Sequence, residues 1–229
     1  MVILIIIAFV VICITVDAVV HYSRQKKSGI VDLPANLSRI FNEDSVIIPK
    51  GIYYDKTHTW AFMEKNGFVK IGIDDFLHHI TGSLNKIKMK NEGERIIKGE
   101  AVLSIIQNGK QLTINAPISG VIKSINKQLI EDSSLINASV FNEGWIYSVE
   151  PTNWTRDIQF LFMAENYKEW LKNEFSRLKD FFASIKLTNN AELTPIILQD
   201  GGELNDNILA DFGPEIWEDF QTKFINTSK

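Results

Sequence analysis

The chain reads as an α+β protein. It has an N-terminal transmembrane helix, a small barrel or sandwich of β-hairpins, a long C-terminal helix and an acidic helical tail. Three observations carry this. Val2 to Val20 is an apolar run interrupted only by Asp17. From Gly51 the sequence breaks into short alternating runs separated by turn pairs, the signature of many short strands. After Pro151 the apolar residues recur at steps of three and four, the period of a helix. With 45% hydrophobic and 23% charged residues among 229, the composition excludes wholesale disorder. A net charge of -4 lacks the basic field that non-specific nucleic-acid binding needs, so no nucleic-acid partner is expected. The single cysteine, Cys13, lies in the first apolar run and excludes an intrachain disulfide or a Cys-based zinc site.

The apolar run of residues 1–20 is long enough to cross the hydrocarbon core of a bilayer, at roughly 28 Å of helix. No basic stretch precedes it and no small-x-small cleavage site follows it, so it reads as a retained anchor. Arg24, Lys26 and Lys27 come next. By the positive-inside tendency they place the body of the protein on the cytoplasmic face of the cell membrane, with the N-terminus outside, in a single pass. Asp17 sits about one turn from that interface, where it reaches headgroups, or it pairs with another transmembrane helix.

Residues 21–50 read as a polar juxtamembrane connector. Within residues 51–187, Thr59 to Glu64 and Phe68 to Ile73 flank Lys65-Asn66-Gly67, a hairpin signal. Asp74 to Ile80 reads as a short helix, with Asp74 and Asp75 as cap and dipole partner. Val102 to Gln107 and Lys110 to Asn115 flank Asn108-Gly109, the pair that favours a type I′ turn. Val121 to Asn126 and Gly144 to Glu150 complete the strands. Phe160, Ala164, Tyr167, Leu171, Phe175, Leu178, Phe182 and Ile185 then line one face of a helix spanning residues 158–185.

The tail, residues 188–229, is acidic. Over residues 190–229 there are eight carboxylates and two lysines, a net of -6. Gly213-Pro214 starts a helix on which Ile216, Trp217, Phe220 and Phe224 share one face. That helix either closes the fold or docks to a basic partner. Trp217, Phe220 and Phe224, with Glu215, Glu218 and Asp219, are its candidate interaction residues. Elsewhere chemistry is scarce. His78 and His79 point about 100° apart on a helix and cannot easily share a metal. No phosphate loop, nucleophile elbow or metal-ligand spacing is present.

The middle of the chain resembles the H protein of the glycine cleavage system. Tyr54-Asp-Lys-Thr-His58-Thr-Trp60 resembles the family's Y-x-x-x-H-x-W opening, and Gly72-Ile73-Asp74-Asp75-Phe76 its G-I-T-D-Y turn. Lys98-Gly99-Glu100, Ala116-Pro117-Ile118-Ser119-Gly120, Asn142-Glu143-Gly144-Trp145 and Met163-Ala164-Glu165-Asn166-Tyr167 follow in the family's order. The resemblance spans roughly residues 52–172. It implies a lipoyl/biotinyl-type barrel of β-hairpins closed by a helix. It also implies a carrier rather than an enzyme, with lipoate on a hairpin lysine in E-S-V-K-A.

The carrier site is where this sequence departs from the family. Aligned from Ala116-Pro117, Gly109 takes the lysine's place, Asn108 that of the preceding valine, and Ile106 that of the glutamate. Lys110 is one residue late, a slip that turns its side chain to the other face of the hairpin. It is expected at an exposed strand end. The leading expectation is therefore a non-catalytic scaffold or binding subunit without a cofactor. Its partners would be integral membrane and membrane-associated proteins and the lipid bilayer. The alternative is a membrane-tethered carrier with lipoate on Lys110.

Overall fold

The computed structural model describes residues 40–84, 86–133, 135–188 and 204–226, all within one unit, Arg39–Lys229. The apolar run of residues 2–20, with Asp17, lies outside the described residues. Among those described, no helix is long and apolar enough to cross a membrane.

Both turn signals produce hairpins. β2 (Tyr53–Asp55), β3 (Thr59–Met63) and β4 (Val69–Ile73) pair antiparallel in sequence order. At the β3–β4 turn the Phe68 amide donates to Asn66 Oδ1 at 2.9 Å, while Gly67 takes a φ of +86° that L side chains rarely adopt. Gly72 on β4 faces Trp60, whose ring would come within 2.7 Å of a Cβ there, so glycine lets the indole lie flat on the sheet. Helix α1 (Asp75–Thr81) follows, its first turn capped by Asp74, which accepts from the Leu77 amide at 2.8 Å.

Next come β5 (Lys86–Met89), β6 (Arg95–Ile96), β7 (Ala101–Gln107), β8 (Lys110–Asn115), β9 (Gly120–Ile125) and β10 (Tyr147–Pro151). They build two sheets, a six-stranded one in the order β2-β3-β4-β10-β9-β6 and a three-stranded one in the order β5-β7-β8. Tyr147 of the first donates its hydroxyl to the Val102 carbonyl of the second at 3.0 Å. One apolar core joins both sheets. The last strand is shorter at its start than the sequence suggests. Gly144 lies in a turn, its amide bonded to the Ser139 carbonyl at 2.8 Å.

The long helix, α2 (Ala164–Thr188), begins later than its apolar period predicts. Phe162 exchanges two backbone hydrogen bonds with Tyr54, both 2.8 Å, which holds residue 162 extended. Phe160 therefore falls in a single 3₁₀ turn (Ile158–Phe160) and is 63% exposed. Tyr167, Leu171, Phe175, Leu178 and Phe182 are buried on the helix face, as their spacing requires.

Two segments expected at the periphery belong to the fold. The connector supplies β1 (Ile40–Phe41), which pairs antiparallel with β11 (Leu204–Asn205) within the tail. Phe41 is buried between Phe76 of α1 and Phe175 of α2. The tail then forms α3 (Pro214–Phe220), continued by a wide turn (Gln221–Ile225). Trp217, Phe220 and Phe224 are buried, with Phe224 5.5 Å from the Phe181 ring of α2. Of the two readings of this helix, closing of the fold is the one observed, and Trp217, Phe220 and Phe224 are corrected from candidate interaction residues to core residues, because the chain's own Phe181 and Lys110 pack against them. Glu215, Glu218 and Asp219 point outward and are exposed.

Candidate functional site

The hairpin β7–β8 is the candidate site, because the motif spacing from Ala116-Pro117 puts the resembled family's carrier position at its tip. Gln107 pairs with Lys110, which leaves Asn108 and Gly109 as a two-residue turn. Their φ values of +49° and +81° are those of a type I′ turn. The tip is exposed, and no atom lies within 4 Å of where a Gly109 Cβ would stand. The tip end of the hairpin is fixed by Gln107, whose amide nitrogen donates to the carbonyls of Thr81 at 2.8 Å and Ser83 at 2.7 Å.

Lys110 departs from its expected exposure. It is only 8% exposed. Its ammonium donates to the Ala210 carbonyl at 2.5 Å and the Phe212 carbonyl at 3.0 Å, and sits 5.2 Å from the centre of the Trp217 ring. Burial lowers the pKa of this amine, while nearby Asp211 opposes the shift. The sequence did not show this because both carbonyls come from a segment a hundred residues downstream. Gly109 has no amine to acylate. Acylating Lys110 would remove its charge and leave one N–H for the two carbonyls, so these two residues do not fit a lipoyl amide in this conformation.

The tail also occupies the free edge of the three-stranded sheet. The Gln221 side chain accepts from the Thr113 amide at 2.6 Å and donates to the Thr113 carbonyl at 2.9 Å. A side-chain amide here takes the place of a neighbouring strand. Asn115 donates to the Ile225 carbonyl at 3.3 Å. At the other end of the tail, Asp206 meets His79 at 2.5 Å and the Asn207 amide donates to the His79 carbonyl at 2.7 Å. His79 thus serves as an ion-pair partner. Burial opposes its charge, but Asp206 and Asp75 outweigh that and raise its pKa to about 9. Among the described residues no cluster of potential metal ligands occurs.

His58, from the opening motif, lies in a second buried cluster. Its Nδ1 is 3.0 Å from Asp74 Oδ2, and its Nε2 is 3.7 Å from Glu174 Oε1. The Tyr167 hydroxyl donates to the same Asp74 oxygen. Arg177 bonds Glu174 at 2.5 Å and the Lys223 carbonyl of the tail at 2.7 Å. Burial alone would lower the His58 pKa, yet the two carboxylates raise it to about 9, so the ring is charged at neutral pH. The cluster joins the β2–β3 turn, the start of α1 and α2 through charges and offers no exposed reacting atom.

Known proteins match the same region. A model of the family described as glycine cleavage H-protein matches residues 52–174. A probable glycine cleavage system H protein of Thermococcus kodakarensis is 32% identical over 127 residues, covering 55% of this chain and 93% of the relative. The glycine cleavage system H protein of Thermus thermophilus is 34% identical over 128 residues, covering 56% and 98%. The crystal structure of a glycine cleavage system H protein from Mycobacterium marinum superposes with a TM-score of 0.50 at 25% identity, over 55% of this chain and 99% of that one. The ordered motifs, the hairpin sandwich closed by α2 and these matches agree: the chain belongs to the glycine cleavage H-protein family.

Proposed function

We propose that this chain is a membrane-anchored, H-protein-like scaffold or binding subunit of a membrane-associated complex, and that it carries no lipoyl group. H proteins are carriers and not catalysts, and nothing in the described site requires catalysis of this one. The observation that carries the reading is the hairpin tip. The motif spacing assigns Gly109 to the carrier position, and the adjacent Lys110 amine is held on the carbonyls of Ala210 and Phe212. The apolar run of residues 2–20 and the basic residues after it support a cytoplasmic body tethered to the cell membrane. Its partners would then be integral membrane and membrane-associated proteins.

Intact mass of the protein purified from its own host tests the cofactor half of this reading. The expected result is the unmodified mass. The double variant Ile106→Glu, Gly109→Lys places a lysine in the open space at the tip and is expected to gain a lipoyl adduct. A lipoyl adduct on the unaltered chain would overturn the proposal. Membership in a family of lipoyl carriers favours that second reading, in which the tail leaves Lys110 and lipoate joins its amine. In that case Lys110→Ala abolishes the adduct.

A further inference from the structure

A groove of about 600 Å³ opens at the end of the β7–β8 hairpin away from the tip. Seven residues of β7 separate the two ends, about 20 Å. Asp55, Ile97, Lys98, Ser119, Arg156 and Phe160 are among the residues that line it.

Most of its charged groups have partners within the fold. Lys98 bonds Asp55 at 2.6 Å and the Pro117 carbonyl at 2.9 Å. Asp55 also accepts from the Thr57 amide and hydroxyl. Asp157 accepts from the Ser119 amide at 2.7 Å. Arg156 differs. Among the described residues lining the groove, it is the one charged side chain with no hydrogen-bonded or ion-paired partner. Beside it stand two apolar side chains that water should not favour, Ile97 at 49% and Phe160 at 63% exposure. A free guanidinium next to bare apolar surface is the chemistry of a site for an amphipathic anion.

We infer that this groove binds a small monocarboxylate with an apolar body, its carboxylate on Arg156 and its apolar part against Ile97 and Phe160. The planar guanidinium matches a carboxylate through two parallel hydrogen bonds. The exposed Thr152 and Asn153 also line the groove and offer further polar groups. A phosphate dianion is disfavoured, because one free cation would leave its second charge beside Asp55 and Asp157. The inference is independent of whether the chain carries lipoate, since the groove lies a strand's length from the tip.

Radiolabelled phenylacetate, dialysed to equilibrium against the full-length protein, is the direct probe. Arg156→Ala in the same preparation subtracts any partitioning into lipid or detergent. Arg156 is exposed, so its loss leaves the fold intact. Saturable binding is expected, weakened by about tenfold or more in Arg156→Ala and several-fold in Phe160→Ala. Benzyl alcohol and phenyl phosphate are both expected to compete less well than unlabelled phenylacetate. Phenylacetate is expected to shift the amide resonances of Ser119, Thr152 and Asn153. Absence of saturable binding, equal binding by Arg156→Ala, or shifts confined to other residues would overturn the site. Equal or better competition by phenyl phosphate or benzyl alcohol would overturn the carboxylate assignment.

Discussion

Lys110 shows how far one side chain's energetics depend on what covers it. At an exposed strand end its replacement would cost less than about 0.5 kcal/mol. Held on two carbonyls under Trp217, it satisfies groups that would otherwise be buried without partners. Lys110→Met is therefore expected to lower the unfolding free energy by about 1–3 kcal/mol, read from the denaturant midpoint. His58 and His79 give the stability a pH dependence of definite sign. Each is raised from 6.5 to about 9 in the fold. Their contribution is thus fully present below pH 6.5 and is lost as pH rises through about 9. Urea midpoints measured across that interval should fall for the wild-type chain and fall less for His79→Asn. A flat wild-type profile would show that the two rings fold uncharged.

Among the elements, the tail carries the clearest expectation. Trp217, Phe220 and Phe224 each bury a large ring, Phe220 and Phe224 against Phe181 of α2 and Trp217 against Lys110 of β8. Phe220→Ala should cost about 3–5 kcal/mol. Truncation after Thr194 should lower the thermal midpoint by several degrees or more, whereas an unchanged midpoint would mean that the tail is dispensable to the fold. The same elements mark how much was legible in the sequence. Asn108-Gly109 and Lys65-Asn66-Gly67 announced their hairpins because the turn chemistry is local. Asp74 announced α1 for the same reason. The late start of α2 was hidden, because a backbone bridge from Phe162 to Tyr54, a hundred residues earlier in the chain, overrides a continuous apolar period. β1 and β11 were hidden as well, since two-residue strands leave no period to read. At the site, the two-residue Asn108-Gly109 turn was legible from its own chemistry, while the burial of Lys110 required the path of the tail.

For the whole molecule, the exposed carboxylates of Glu215, Glu218 and Asp219 lie on the outer side of a tail whose inner side is fully used. Reversing all three charges should leave the thermal midpoint nearly unchanged, since exposed charges contribute little to stability. It should weaken association with a basic partner in a salt-dependent way, measured by co-purification at rising ionic strength. Full-length protein should sediment with membranes and resist carbonate extraction; recovery of uncleaved chain in the soluble fraction would remove the anchor. The Gln221 amide on Thr113 has a further consequence, in time rather than in energy. While it is in place, the backbone groups of Thr113 at the middle of the β8 edge are taken. Each time the tail lifts, that edge becomes a template for the same strand of another chain. The working lifetime of the protein in concentrated solution is then set by how often this one segment opens, and it shortens with concentration long before the sheets themselves unfold.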